Sequence, residues 1–184
     1  MIAIAVVLAV VVFGGILLFN RMIAMRRLAQ NAWSDVDVFL RRRAELVPNL
    51  VETVRAAATH EQRTLAEVAD ARSRALAISA PAARGIVESE VSRGVANVVA
   101  IAESHPVLRA SDHFRQLQDS LTDTERLIAD ARRYYNACVR DYNTMIESFP
   151  HLIVASVGGF RPLEFFQVEE LNERRAPSVS GING

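Results

Sequence analysis

From Ile2 to Phe19 every position is apolar or glycine; beyond Arg21 apolar and polar positions follow one another with helical spacing. At about 1.5 Å per residue the first run covers roughly 27 Å, close to the ~30 Å hydrocarbon core of a bilayer. We expect residues 1–21 to form a transmembrane anchor. If the helix runs on through Met22, Ile23, Ala24 and Met25, Arg21 can snorkel to the headgroups. A cleaved signal peptide needs a basic segment before the run and a small-residue cleavage site after it. Only Met1 precedes the run, no Ala-x-Ala pattern follows it, and no cysteine near residue 20 could take a lipid.

Beyond the anchor the chain reads as helix almost to residue 149, with breaks suggested by Pro48, Pro81, Pro106 and Pro150. The segments they imply are about 21–47, 48–79, 81–104 and 109–149, although a proline is also tolerated in a first turn or as a kink in a continuous helix. The last segment is the most regular. Phe114, Leu117, Leu121, Thr124, Ile128, Ala131, Tyr135, Cys138, Tyr142, Met145 and Phe149 recur at steps of three and four, a heptad-like stripe of roughly 50 Å. Arg115, Asp119, Asp123, Arg126, Asp130, Arg133 and Arg140 form the opposite, solvated face, and Ser111 or Asp112 can cap the start.

The other stripes are looser. The first passes through Met25, Ala29, Ala32, Val36, Phe39, Arg43, Leu46 and Leu50; the second through Leu50, Val54, Ala57, Glu61, Val68, Ala71, Ala75 and Ile78; the third through Val87, Val91, Val95, Val98 and Ala102. Long helices joined by short connections pack antiparallel. The expected fold is therefore all-α: a transmembrane helix followed, over residues 22–168, by an up-and-down antiparallel bundle of three to four long helices. No Asn-Gly or Asp-Gly hairpin signal occurs before the extreme C-terminus.

The periodicity fails after Phe149. Pro150, Gly158, Gly159, Phe160, Pro162, Phe165 and Phe166 predict an aperiodic aromatic cap over the bundle end, with a membrane-surface or partner-docking patch as the alternative. Residues 169–184 are polar and read as a disordered tail.

Composition narrows the chemistry. The 184 residues carry 21 basic and 21 acidic side chains, so no net field points to nucleic acid. Every basic residue is arginine, which excludes a Schiff-base or phosphate-loop lysine. The single cysteine, Cys138, excludes an internal disulfide and any multi-cysteine metal site. Arg21, Arg26, Arg27 and the Arg41–Arg43 triplet all follow the apolar run, so by the positive-inside rule we expect the bundle in the cytoplasm and the N-terminus outside. The first three are the best placed to meet anionic headgroups. The triplet lies some 20 residues past the anchor, roughly 30 Å out and beyond the Debye length.

Several local strings are more specific than the periodicity. They are Ala32-Trp33-Ser34-Asp35-Val36-Asp37-Val38; Arg42-Arg43-Ala44-Glu45-Leu46-Val47-Pro48-Asn49-Leu50-Val51-Glu52-Thr53-Val54; His60-Glu61; Pro106 to Ala110; Phe114 to Gln118; Thr124-Glu125; Ala131-Arg132-Arg133-Tyr134-Tyr135-Asn136; and Tyr142-Asn143. With Phe149-Pro150 and the Gly159-Phe160 to Phe165-Phe166 stretch, in this order, they closely resemble the LemA family of bacterial membrane proteins. The resemblance runs from the anchor to about residue 168. It implies one N-terminal transmembrane helix, a cytoplasmic helical bundle, and no established catalytic activity. It also marks Trp33, Asp37, Arg43, Pro48, Asn49, Glu52, His60, Glu61, Glu125, Arg132, Tyr135, Asn136, Tyr142 and Asn143 as family-motif positions of structural character. One branch of the family takes part in building magnetosome membranes, an association that does not carry over to this chain by resemblance. This chain has arginine where many members have lysine near positions 42, 43 and 109, and Phe39 where many have glutamine.

Two constellations bear on mechanism. His60-Glu61 begins like a zincin motif, but position 64 is Thr, so the second imidazole at i+4 is missing. Glu61 and Arg43 both fall on apolar stripes, and a buried carboxylate needs a partner, so an internal Arg43–Glu61 ion pair is expected. The functional expectation is a membrane-anchored scaffold or adaptor, not an enzyme, with no cofactor and no metal. Its partners would be the bilayer, through residues 2–19, and other membrane-associated proteins or its own copies. The alternative is an envelope-associated enzyme subunit with a buried polar site around Arg43, His60 and Glu61.

Overall fold

The structure is a computed structural model that describes residues 1–58 and 60–167; the predicted tail lies outside them. Among these residues all regular elements are helices: α1 (Ile2–Arg55), α2 (Gln62–Ala77), α3 (Pro81–Ser104), α4 (Pro106–Arg109), α5 (Asp112–Glu147) and α6 (His151–Gly158). The all-α expectation holds, and α1, α2, α3 and α5 alternate in direction as an up-and-down bundle.

The apolar run and the bundle share one helix. α1 is continuous for 54 residues, exposed along its first nineteen or so positions and committed to packing from Met22 onward. Pro48 does not open a new helix, which corrects the break placed there. The cost of an internal proline is the lost N–H that would have served the carbonyl of Ala44. Arg72 of α2 makes up that loss, donating its Nε to the Ala44 oxygen at 2.5 Å. The real break comes after Arg55, and α2 begins only at Gln62.

α1 and α5 run antiparallel along their shared length. Near the end next to the apolar run, Met22 packs with Tyr142, Ile146 and Ala155; midway, Ala29, Ala32, Val36 and Leu40 meet Ile128, Tyr135, Cys138 and Val139; at the far end, Val47 to Val54 join α2, α3, Phe114, Leu117 and Leu121. Burying such side chains is worth roughly 1.5–3 kcal/mol each. On α1 the inner row runs Val36, Leu40, Arg43, Val47, Leu50, Val54, one position off the expected Phe39 and Leu46, which are partly buried. α5 keeps its predicted stripe until its last turn, where Ile146 faces inward and Phe149 is exposed. Ser111 caps it, accepting a hydrogen bond from the Phe114 N–H at 3.4 Å.

α2 and α3 form a hairpin over the distal half of the α1–α5 pair. Gly94 allows their close approach, since a Cβ there would come within 2.8 Å of the Val68 side chain. The proximal half is covered differently. α6 ends on Gly159, whose positive φ of 68° suits glycine. The chain then returns as an extended strap, residues 160–167, along α1 and α5. The C-terminal stretch thus holds a helix, and it runs back beside the bundle rather than only capping its end. The strap reaches the start of α3, where Gly85 leaves room for it; a Cβ on Gly85 would lie 2.1 Å from the Gln167 carbonyl oxygen.

Candidate functional site

Two polar assemblies interrupt the apolar interior. The first sits where α1, α3 and α5 meet. Arg43 is 1% exposed. Its guanidinium donates to Glu125 Oε1 at 2.6 Å, to the Glu88 carboxylate, to the Ser92 hydroxyl and to the Glu88 backbone carbonyl at 3.3 Å. Glu88, also buried, receives Arg84 Nε at 2.7 Å on its other oxygen. Arg84 donates further to the Ile78 carbonyl at 2.9 Å and lies 3.8 Å from Asp37, which is itself held by Arg41 at 2.7 Å.

Glu88 is therefore shared by two buried guanidinium groups, and Glu125 and Asp37 balance the remaining charge. Arg43 Nε and Arg84 Nη2 stay buried without a hydrogen-bond partner among the described residues. Desolvating such ions is expensive, and a pair of this kind gains little net stability over packed apolar groups. It does fix register. A one-turn slip of α3 along α1 would part Arg43 from Glu88 and Ser92, and Arg84 from Asp37, while the Arg84–Glu88 bond, made within α3, would travel with the helix.

The expected Arg43–Glu61 pair is not formed. The α1–α2 connection interrupts the stripe on which Glu61 was counted; Glu61 stands at the N-cap of α2, exposed, and His60 beside it is exposed as well. The site imagined around Arg43, His60 and Glu61 thus loses two of its three members. Pro48, Asn49 and Glu52 are also exposed on the distal part of α1, where the Asn49 carbonyl accepts the Thr53 hydroxyl at 2.7 Å. Two members of the cluster that Arg43 does join were legible in principle. Running the α3 stripe back from Val91 by alternating three and four lands on Glu88 and Arg84.

The second assembly is a ladder on α5. Asn143 donates Nδ2 to the Leu163 carbonyl at 3.0 Å and accepts the Leu163 N–H at 2.8 Å. Seven residues earlier, Asn136 treats Phe166 identically, at 3.0 Å in each direction. Tyr142 and Tyr135, also seven apart, donate their hydroxyls to the carbonyls of Arg161 at 3.2 Å and Glu164 at 2.7 Å. A strap without a neighbouring strand leaves its peptide groups orphaned. Here two heptad-spaced Tyr-Asn pairs satisfy them. Trp33 closes the arrangement, its ring centroid 5.3 Å from those of both Tyr135 and Phe166. Arg132 is half-buried on the same helix. Burial, with the nearby Glu164 carboxylate adding to it, pushes the Tyr135 phenol up to about 12. Burial also raises Tyr142, against the opposing charge of Arg26.

These assemblies hold elements together. The arginine cluster pins α3 to α1 and α5, and the ladder pins the strap to α5. Together they define a class: an up-and-down α-bundle on a long apolar leader helix, closed by a backbone-recognised strap. The LemA family profile matches residues 32–180, and the chain belongs to the LemA family.

Among curated proteins it is similar to magnetosome protein MamQ of Magnetospirillum gryphiswaldense, with 25% identity over 80% of this chain and 64% of that protein. It is equally similar to magnetosome proteins MamQ 1 and MamQ 2 of Paramagnetospirillum magneticum, each 25% identical over 88% of this chain and 70% of theirs. The chain thus spans about two thirds of the length of these relatives.

Proposed function

We propose that this protein is a membrane-anchored helical scaffold, held in the bacterial cytoplasmic membrane by residues 2–19 and acting through contacts with other membrane-associated proteins or with its own copies. The carrying observation is the single helix α1, long and apolar enough at its start to cross a membrane and packed into the bundle from Met22 onward. Such a helix couples the bundle to the bilayer without a flexible joint. The arginines that follow the apolar run favour a cytoplasmic bundle. A non-catalytic role is supported by the way the buried charges are spent on one another, with Glu88 shared between two guanidinium groups. The magnetosome association belongs to the named relatives and is not needed for this reading.

The test has two arms. Alkaline carbonate should leave the full-length protein in the membrane pellet, and release into the supernatant would defeat the anchor. Photo-crosslinking in cells, from positions on the exposed faces of α2 and α5, should give discrete adducts. Recovery of monomer alone at every position would defeat the scaffold role.

A further inference from the structure

The outer face of α6 and the height at which the fold holds that helix carry an inference beyond the anchor. α6 carries apolar side chains on both sides, with His151 half-buried in its first turn and the exposed Ser156 hydroxyl turned back onto the Ile153 carbonyl. Its inner side packs Ala155, with Val154 partly buried, among Met22, Tyr142 and Ile146. On the outer side Leu152 is 52%, Ile153 58% and Val157 87% exposed, and Phe149 at the entrance is 82% exposed. Helices that are apolar all round belong inside a core or against lipid, and the core already has its side.

Height identifies the other occupant. Phe160, just past α6, meets Phe19 edge to face with ring centroids 5.3 Å apart, and a Cβ on Gly158 would lie 3.1 Å from the same Phe19 ring. Phe19 ends the apolar run and Arg21 is the first charge after it, so α6 is fixed where hydrocarbon gives way to headgroups. The charge pattern agrees. Residues 148–163 contain Arg161 and no carboxylate, and Arg21, Arg26 and Arg27 are exposed on the adjoining turns of α1.

We propose that α6 is a second membrane contact: an interfacial helix lying in the headgroup boundary of an anionic bilayer, with Phe149, Leu152, Ile153 and Val157 directed into the acyl region. The proposal rests on the anchor reading but not on which side of the membrane the bundle occupies. One contact leaves a single-span protein free to spin about its axis; two contacts orient the bundle.

The experiment uses the full-length chain with Cys138→Ala, reconstituted in vesicles of phosphatidylcholine and phosphatidylglycerol containing nitroxide lipids. An environment-sensitive fluorophore is placed through Ile153→Cys, Val157→Cys, Val10→Cys or Arg133→Cys, one at a time. The α6 positions should be blue-shifted and quenched by shallow nitroxides several-fold more strongly than position 133, while position 10 responds to deep nitroxides. Quenching at position 10 with α6 positions as wet and unquenched as position 133 overturns the interfacial helix and leaves the anchor standing. No quenching at position 10 removes the anchor and this proposal together. A dry but unquenched α6 whose Ile153→Cys variant cross-links between copies makes the face a subunit contact, and also overturns the proposal.

Discussion

Replacing Glu88 by Gln keeps the side chain's shape and withdraws the one charge that Arg43 and Arg84 share. The three residues are 3%, 1% and 5% exposed, so water cannot take the place of the lost carboxylate. Breaking a buried pair by removing one partner costs about 3–5 kcal/mol, because the surviving charges stay desolvated. For a bundle of this size, at about 3 °C per kcal/mol, the melting temperature should fall by roughly 10–15 °C. Glu125 offers the internal comparison. It also bonds Arg43, but its side chain is 37% exposed, so Glu125→Gln should cost about 1 kcal/mol or less. The exposed pair Arg63–Glu67, with side chains 93% and 60% exposed, should be worth only a few tenths of a kcal/mol. The assay is thermal unfolding of the full-length protein in detergent, followed by circular dichroism and by fluorescence of Trp33, the chain's only tryptophan. Combining Glu88→Gln with Arg43→Met should cost less than the two single changes added together, since each removes the reason for the other. A Glu88→Gln protein melting within about 2 °C of wild type, or a Glu125→Gln protein falling as far, would refute the view that burial sets the worth of this cluster.

Asn143→Ala removes both bonds to Leu163 and should cost about 1–3 kcal/mol. With Asn136→Ala added, the strap should detach and the Trp33 emission shift to the red; an unchanged spectrum would mean that apolar packing alone seats the strap. Arg72→Met should destabilise by about 1–2 kcal/mol by orphaning the Ala44 carbonyl. In a Pro48→Ala background, where residue 48 again supplies an N–H, the same change should cost much less, and equal costs in the two backgrounds would disprove the compensation. The raised phenols predict alkaline sensitivity. Tyr135 is neutral in the fold up to about pH 12 and ionises near 10 when unfolded, so its contribution is complete below pH 10 and drains away as the pH rises to about 12. Tyr135→Phe should flatten that part of the pH–stability curve, as followed by chemical denaturation between pH 9 and 12.

The fold was largely legible because α5 carries its stripe without interruption and the apolar run needs no context to be recognised. The difficulties arose where one residue's conformation depends on a distant donor. Pro48 suggests a break when read locally, and only Arg72, 24 positions later, shows why the helix continues. The stripe on α1 marks Arg43 as buried and points to the next stripe in sequence for its partner, whereas the up-and-down topology brings α3 and α5 against it. Asn136 and Asn143 stood out as motif residues. That they read the backbone of residues 163 and 166 could not be inferred, because a strap recognised through peptide groups leaves no side-chain signature of its own.

The unbroken α1 also has a mechanical consequence. From Arg21 to Arg55 the helix extends about 50 Å beyond the apolar run, and the bundle is built on that shaft. For a chain anchored as proposed, a shift of about 10° in anchor tilt, of the kind that a change in bilayer thickness produces, swings the distal tip sideways by about 9 Å. A small elastic change in the lipid thereby becomes a displacement the width of a neighbouring helix, at the end of the molecule furthest from the lipid.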